Sequence, residues 1–238
     1  LVLLAFVVDL RSVMVRFTEL DPGWVAAALT VSFVQVFLSA WRWRFTANRL
    51  GLLISLRYAV FEYYLATFLN QVLPGGIVGD VSRAWRHAKG TEKRAALQAV
   101  AFERLSGLVV MSAAASFSAV VLLRELSRGI QAISLGIVLL LSVSVGLSMR
   151  RAQENRETSQ LFSDLRRALI DGIALPVQLI TSATVVGTYL LVFVMAARAV
   201  QLETDGLLLA MLAAPILMTM LLPVTIAGWG LRELAAAA

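Results

Sequence analysis

The sequence predicts an all-α fold, a polytopic transmembrane helical bundle that contains two broken or re-entrant elements. Hydrophobic residues make up 59% of the 238 residues and charged residues only 15%, whereas charged residues alone form about 25% of an ordinary soluble domain. Several apolar stretches reach the roughly 20 residues that a helix needs to cross a hydrocarbon core about 30 Å thick. Two of these stretches are interrupted by proline and glycine, which break helices.

The charged residues indicate which partners to expect. The net charge of +6 comes from 21 Lys and Arg against 15 Asp and Glu. The basic residues lie in short loops between apolar segments, a pattern that favours membrane orientation and anionic lipids over nucleic acid. The chain has no cysteine, which excludes disulfides, thiolate metal sites and cysteine nucleophiles.

Both ends of the sequence read as parts of helices. The apolar run over residues 1–8 is too short to cross a membrane, and we interpret it as the tail of a helix. Residues 231–238 resemble the opening of another helix. We expect one transmembrane domain over residues 1–238, truncated at both ends, because no linker or soluble domain separates its parts.

The first complete span is predicted over Trp24–Ala40. The tripeptide Asp-Pro-Gly at 21–23 precedes it, and the tetrapeptide Trp-Arg-Trp-Arg at 41–44 follows it. We interpret the tetrapeptide as an aromatic and basic belt at a membrane interface, which places this end of the span in the cytoplasm.

The next segment, Tyr58–Gly79, has the length of a span but cannot be one intact helix. It carries structural breaks at Pro74, Gly75, Gly76 and Gly79. Basic loops flank it on both sides, and basic loops favour the cytoplasm. A segment with both ends on one side must turn back within the membrane, which is tolerated where it is buried in protein or lines a wet cavity.

Further membrane elements follow along the chain. We predict three spans, over Leu105–Leu123, Ile130–Ser148 and Ile173–Ala197. A short surface helix is predicted over Leu161–Ile170, between the last two spans. The loop 201–205 carries two carboxylates and no base, so we expect it on the outer face. The last segment, Leu207–Gly230, is the second broken element, interrupted at Pro215, Pro223, Gly228 and Gly230.

The two broken elements share a sequence pattern. Residues 73–83 align without gaps with residues 222–232, and both fit L-P-x-x-I-x-G-x-x-x-R. An internal repeat, with copies at about 24–123 and about 173–238, and a coincidence both remain open. Paired broken segments in inverted halves would indicate a transport site near the membrane midplane.

Charged residues near the first break are candidate ligands for a lipid headgroup. Asp80 and Arg83 are three residues apart, so on a helix they share a face and could pair. Arg83 could bind a phosphate through two parallel guanidinium N–H donors. Asp80 could instead simply favour the start of a helix, near the positive end of the helix dipole. Asn70 could line a site or satisfy the backbone carbonyls that Pro74 leaves free.

Other candidate residues lie further along the chain. Glu103 and Arg104 could reach the interface by extending their side chains. A position about 13 Å along a helix from Arg94, however, favours a functional role inside the membrane. Arg232 and Glu233 follow the second break, where Arg232 aligns with Arg83.

The sequence gives no reason to expect a cofactor, a metal or a catalytic residue. The glycines at 75–79 lack the preceding strand and the following Gly-Lys-Ser or Gly-Lys-Thr of a nucleotide-binding loop. His87 is the one histidine and has no ligand partners at metal spacing.

Four sequence blocks, at 40–43, 68–83, 102–108 and 223–233, together resemble one family. They are similar to the flippase-like membrane region of lysylphosphatidylglycerol synthases and its freestanding relatives. The resemblance implies movement of a phospholipid, an aminoacyl-phospholipid or a lipid-linked intermediate between leaflets. It does not imply aminoacyl transfer, which belongs to a separate soluble domain in the synthases, so no enzymatic activity is expected of this chain.

Two functional hypotheses remain. The first is a lipid flippase-like protein of the bacterial inner membrane, with its basic loops in the cytoplasm and anionic or lipid-linked molecules as partners. The alternative is a non-transporting membrane partner that anchors or regulates a lipid-modifying or glycosyl-transfer enzyme.

Overall fold

The described part of the chain is helical throughout. The computed structural model describes residues 19–73, 77–87, 93–122 and 156–219. These residues form α1 (Pro22–Arg49), α2 (Leu56–Val72), α3 (Val78–His87), α4 (Lys93–Leu122), α5 (Arg156–Leu169), α6 (Ala174–Ala199) and α7 (Gly206–Thr219). Three of them, α1, α4 and α6, are long and apolar enough to cross a membrane. The prediction of a helical membrane bundle is confirmed.

Helix α1 is longer than the sequence predicted. Asp21 caps its start, where Oδ1 accepts hydrogen bonds from the backbone N–H of Gly23 at 2.7 Å and of Trp24 at 3.2 Å. The helix then continues through the tetrapeptide at 41–44 and ends at Arg49. Two of the four residues assigned to an interface belt cannot face an interface, because Arg42 and Trp43 are only 4% and 1% exposed.

Helices α2 and α3 lie antiparallel against each other, which agrees with the broken or re-entrant element that the sequence predicted. Contacts run along the two antiparallel arms: the rings of Tyr58 and His87 lie 5.7 Å apart, and Arg86 Nε donates to Glu62 Oε2 at 2.8 Å. The start of α2 and the end of α3 therefore lie at the same end of the bundle. The breaks at Pro74, Gly75 and Gly76 lie outside the described residues.

Gly79 allows the two arms of the hairpin to touch. A Cβ atom added at Gly79 would lie 2.0 Å from the backbone oxygen of Ala66. No side chain fits in that space, so the break that the sequence assigned to Gly79 is a point of close backbone approach within α3 rather than a bend. The contact holds the start of α3 directly against α2.

The bundle has two chemically different ends. At the end that we call the basic end, Arg49 donates to the backbone oxygens of Arg167 and Asp171, both at 2.9 Å. At the far end, the backbone N–H of Asp21 donates to the Ala199 oxygen at 3.0 Å. Helices α1 and α6 are therefore antiparallel. The basic end carries Arg49, Arg86, Arg94, Arg166 and Arg167.

Helix α5 is the short surface helix that the sequence predicted over Leu161–Ile170. It lies at the basic end, where Gln160 Oε1 accepts from Arg94 Nη1 at 3.1 Å and Asp164 Oδ2 accepts from Gln98 Nε2 at 3.2 Å. These two bonds join α5 to the first turns of α4.

The other helices follow the predicted segments with two differences. Helix α4 begins at Lys93, twelve residues before the predicted start at Leu105. Helix α7 continues across Pro215, so the interruption predicted there is wrong. The span Ile130–Ser148 and the second broken element beyond Thr219, with Pro223, Gly228 and Gly230, lie outside the described residues. The proposed repeat therefore stays a prediction.

Small side chains allow the helices to pack closely at the basic end. Trp43 packs there with alanines from several helices, and small residues allow helices to approach closely. The buried cluster consists of Trp43, Ala47, Leu52, Ile54, Ala59, Ala84, Ala96, Ala99 and Val100. The polar groups described next lie further from the basic end than this cluster.

Gly79→Ala should destabilise the protein, because the added methyl group would overlap the Ala66 backbone. We expect the free energy of unfolding to fall by about 3 kcal/mol, the upper part of the usual cost of overpacking. Denaturation in mild detergent measures the change. Gly187→Ala is the matched control, since no heavy atom lies within 4 Å of its added Cβ. An unchanged midpoint for Gly79→Ala would contradict the close approach.

Single cysteines should report the two ends of the bundle, because the natural chain has none. Leu53, in the loop between α1 and α2, is 91% exposed, and the Arg166 side chain is 73% exposed. We expect an impermeant thiol reagent to label Leu53→Cys and Arg166→Cys from one side of the membrane and Glu203→Cys from the other. Labelling of Leu53→Cys and Glu203→Cys from the same side would rule out this arrangement.

Candidate functional site

Charged side chains from three helices meet inside the bundle. Arg42 lies seven residues before the end of α1, and Glu103 lies ten residues after the start of α4. At about 1.5 Å per residue, both lie roughly 10–15 Å from the basic end. Ionisable groups at such a depth are costly and mark functional positions by default.

Glu103 is the centre of this group. Its side chain is fully buried. Oε1 is ion-paired with Arg42 Nη2 and accepts a hydrogen bond from the Tyr63 hydroxyl at 3.3 Å, while Oε2 lies 3.5 Å from Arg83 Nη2. The carboxylate is thus neutralised on both oxygens, which a buried charge requires. The buried position excludes an interfacial, extended side chain for Glu103.

Arg83 is held between two aromatic rings. Its guanidinium carbon lies 4.4 Å from the ring centroids of both Trp43 and Tyr63. Its Nη2 donates to Asp80 Oδ1 at 3.0 Å, which confirms the predicted pair. Its Nε and Nη1 have no hydrogen-bond partner among the described residues, and the negative faces of the two rings stabilise the charge.

Asn70 connects the tip of α2 to the start of α3. Its Oδ1 accepts from the backbone N–H of Gly79 at 2.8 Å, and its Nδ2 donates to Asp80 Oδ2 at 2.9 Å. Asn70 therefore satisfies a backbone group next to the break, as one of the two sequence interpretations stated, although the group is an N–H rather than a carbonyl. Asp80 Oδ2 is also ion-paired with Arg104 Nη2.

Arg42 joins the site to α6. Its Nη1 donates to Ser182 Oγ at 2.8 Å. Gly107, one turn after Glu103 on α4, leaves room for the guanidinium, since a Cβ there would lie 3.2 Å from Arg42 Nη2. Arg42, Tyr63 and Ser182 were not predicted as site residues from the sequence. The one sequence feature that could have identified Arg42 is its position in the block at 40–43, which resembles the family.

The cluster carries an excess of positive charge. Three arginines, Arg42, Arg83 and Arg104, face two carboxylates, Asp80 and Glu103. One positive charge therefore remains uncompensated among these described groups. Such an arrangement favours an anionic ligand.

A cavity of about 200 Å³ lies against this cluster, between α1, α2, α4, α6 and α7. Its wall is apolar where Met111, Val185 and Leu217 contribute. The polar side of the wall includes Arg42, Tyr63, Asn70, Gln71, Glu103 and Arg104. The cavity thus joins apolar surface to the charged cluster.

The arginines differ in their access to the cavity. The Arg104 side chain is 46% exposed, and Arg104 and Arg42 both line the cavity. Arg83 is fully buried and belongs to the packed layer behind the wall. A direct phosphate contact, which the sequence suggested for Arg83, does not fit this position, so Arg83 supports the site from behind.

The structure brings most of the predicted site residues together. Asn70, Asp80, Arg83, Glu103 and Arg104 form one connected network. Arg232 and Glu233 lie outside the described residues. Within the described ranges, no group of three or more His, Cys, Asp or Glu residues could hold a metal ion.

Comparison with known proteins gives one match. The family described as Lysylphosphatidylglycerol synthase TM region matches residues 1–238, the whole chain. Comparisons with curated proteins and with solved structures each returned no match.

Glu103→Gln should destabilise the bundle, because Arg42 and Arg83 would lose the charge that neutralises them. Removing one partner of a buried ion pair typically costs about 3–5 kcal/mol, and we expect a loss of this size in the free energy of unfolding in detergent. Asp171→Asn is the matched control, since its pair with Arg166 is largely exposed and should contribute below about 1 kcal/mol. Equal effects of the two changes would contradict the central position of Glu103.

Proposed function

The chain belongs to the family of lysylphosphatidylglycerol synthase TM regions, and we propose that it is a flippase-like membrane protein that moves the headgroup of a lipid between leaflets. The cargo would be a phospholipid or a lipid-linked intermediate. The observation that carries the proposal is the half-exposed Arg104 guanidinium beside a cavity inside the membrane-spanning bundle.

The energetic cost of the cluster supports a function rather than a structural role. Well-packed apolar residues often stabilise a protein as well as or better than a buried ion network does. Three of the five charged side chains that meet here nevertheless lie on α1 and α4, which are long enough to cross a membrane, and the other two lie on α3. A headgroup that passes through hydrocarbon needs polar and charged partners there, and this cluster supplies them.

The chemistry of Arg104 suits a phosphate. Its Nη2 is paired with Asp80, its side chain is 46% exposed, and the residue lines the cavity. Guanidinium binds phosphate oxygens through two parallel N–H donors, which a lysine ammonium cannot reproduce. Neutral donors from Asn70 and Gln71 line the same wall. The apolar side of the cavity suits the first carbons of an acyl or prenyl chain.

The orientation of the protein follows from its charges. Among the described residues, the arginines of the basic end include Arg49, Arg86, Arg94, Arg166 and Arg167, whereas the far end has Arg198 beside the loop 201–205, which itself carries two carboxylates and no base. Positively charged loops favour the cytoplasm. We infer that the basic end faces the cytoplasm of a bacterial inner membrane and that headgroups enter the cavity from the bilayer.

The proposal assigns no chemical reaction to this chain. The TM region of this family is not itself a catalytic domain. The alternative function, a membrane partner of a lipid-modifying or glycosyl-transfer enzyme, predicts lipid binding without movement. A transport assay therefore separates the two hypotheses.

Arg104→Ala should slow lipid movement without unfolding the protein. A charge-assisted hydrogen bond contributes about 1.5–3 kcal/mol, so we expect the rate to fall about tenfold or more. The measurement is the loss of fluorescence when an impermeant reductant reaches labelled phosphatidylglycerol in reconstituted liposomes. Arg104→Lys should recover part of the rate, since it keeps the charge and loses the planar donor pair.

Arg166→Ala is the matched control for this experiment. It also removes one arginine, but the Arg166 side chain is 73% exposed on the surface and pairs with Asp171. Its rate should equal that of the natural protein. Equal rates for Arg104→Ala and the natural protein, or no movement of any anionic or lipid-linked molecule by folded protein, would refute the flippase proposal.

A further inference from the structure

Helices α1 and α6 pair in a regular antiparallel register. Gln178 Nε2 donates to Thr46 Oγ1 at 2.8 Å. Four residues along each helix, toward the far end, Arg42 Nη1 donates to Ser182 Oγ at 2.8 Å. Equal steps along the two helices therefore lead from one contact to the next.

The same register continues beyond Arg42. Seven residues further toward the far end, about 10 Å along the helix axis, α1 carries Gln35 and α6 carries Tyr189. Equal steps place these two side chains opposite each other, and the Gln35 amide lies within hydrogen-bonding range of the Tyr189 phenol. Ser39 lies between Gln35 and Arg42 on α1. We call Gln35, Ser39 and Tyr189 the far pole.

The cavity extends from the arginines to the far pole. On α4 its wall runs from Glu103 to Met111, a distance of about 12 Å along the helix axis. Ser39 and Tyr189 contribute two hydroxyl groups to the same wall. One ligand can therefore contact the arginines and the far pole together.

Gln35 adds a hydrogen-bond acceptor to the far pole. The residue is 9% exposed, and its Oε1 has no hydrogen-bond partner among the described residues. A buried amide oxygen without a partner is unfavourable, and native proteins keep few of them. A polar group this deep in a membrane-spanning helix is therefore a candidate for ligand binding.

The far pole has the chemistry of a binding site for the outer part of a headgroup. Resting on the proposed function, we propose that the far pole binds a hydrogen-bond donor at the outer end of a lipid headgroup while the arginines bind its phosphate. The donor is a hydroxyl, as in phosphatidylglycerol, or an ammonium, as in an aminoacyl-phospholipid. Both groups donate to neutral oxygens such as those of the far pole.

The groups present at each position determine these roles. A guanidinium has donors and no acceptor, so Arg42 and Arg104 suit the phosphate oxygens. Phenol and amide oxygens accept hydrogen bonds, so Tyr189 and Gln35 suit the donor at the other end. The headgroup is thereby bound in one orientation, with its phosphate nearer the basic end.

Three lipids with different outer groups test the proposal. Phosphatidylglycerol carries hydroxyls, and lysylphosphatidylglycerol carries ammonium groups. Phosphatidylmethanol has the same phosphate diester with a methyl group, which cannot donate. Each Kd is measured by native mass spectrometry of the full chain in detergent micelles. The effect of one substitution on each Kd separates the outer group from the phosphate.

Tyr189→Phe should weaken binding of a donor-bearing lipid and leave phosphatidylmethanol unaffected, because it removes one hydroxyl and keeps the ring. We expect the Kd of phosphatidylglycerol or of lysylphosphatidylglycerol to rise about fivefold, the usual net contribution of one hydrogen bond. A rise for phosphatidylglycerol identifies a hydroxyl as the donor, and a rise for lysylphosphatidylglycerol alone identifies an ammonium. Tyr64→Phe is the matched control and should change no Kd, since Tyr64 packs against Phe33 and is not among the described residues of the cavity wall.

Gln35→Met is the second variant. It keeps the approximate shape of the side chain and removes both the open acceptor and the amide beside the Tyr189 phenol. We expect the same pattern across the three lipids. Gln178→Met is its matched control, because Gln178 is also buried but lies beside Thr46, nearer the basic end than the arginines. It should leave the ratios of the three Kd values unchanged.

The outcomes separate this inference from the proposed function. Equal Kd changes for all three lipids in both variants would overturn the inference, since the far pole would then act on the phosphate or on the fold. Unchanged Kd values for both donor-bearing lipids would overturn it as well. Either result leaves transport to be judged by the Arg104→Ala assay. Kd changes confined to donor-bearing lipids, with no movement of lipid in liposomes, would support the far pole and refute transport.

Discussion

A carboxylate inside a membrane-spanning bundle must be neutralised, and the neutralisation of Glu103 organises the described part of this protein. Arg42 reaches it from α1 and Arg83 from α3, while Tyr63 on α2 donates a hydrogen bond to it. Each partner comes from a different helix, so the depth of one buried charge fixes the relative heights of four helices. Slippage of any of them by one turn would separate a charge from its partner.

Backbone packing makes this arrangement possible. The charges of α3 reach Glu103 only because the hairpin brings α3 back along α2, with Gly79 against Ala66. Gly107 similarly leaves space for the Arg42 guanidinium, and alanines around Trp43 keep the helices close at the basic end. Small residues thus determine the distances between the helices, and the ionic groups determine the register of one helix along another. Neither alone would specify the site.

The sequence predicted features that depend on local patterns. Breaks near Pro74 between two basic loops predicted the re-entrant hairpin, and spacing along a helix predicted the Asp80 and Arg83 pair, which is observed at 3.0 Å. The interpretation of Arg42 failed because its partner, Glu103, lies 61 residues away in the sequence. An arginine beside two tryptophans is typical of an interface when that partner is unknown. The start of α4 was placed late because the predicted span was counted from Leu105, the first uncharged residue after Arg104, whereas the helix also includes the charged turns before it. Sequence spacing also cannot distinguish the buried Arg83 from the accessible Arg104.

Asp80 is shared between two arginines and the amide of Asn70, and Asn70 Oδ1 in turn accepts from the backbone N–H of Gly79, the second residue of α3. An anion that draws Arg104 away from this carboxylate competes directly with a group that restrains the hairpin tip. Occupancy of the cavity and the conformational equilibrium of the hairpin are then linked functions, with one coupling free energy common to both. A conformational change at the start of α3 that never touches the ligand would alter the ligand's affinity by the same factor by which bound ligand alters the equilibrium constant of that change.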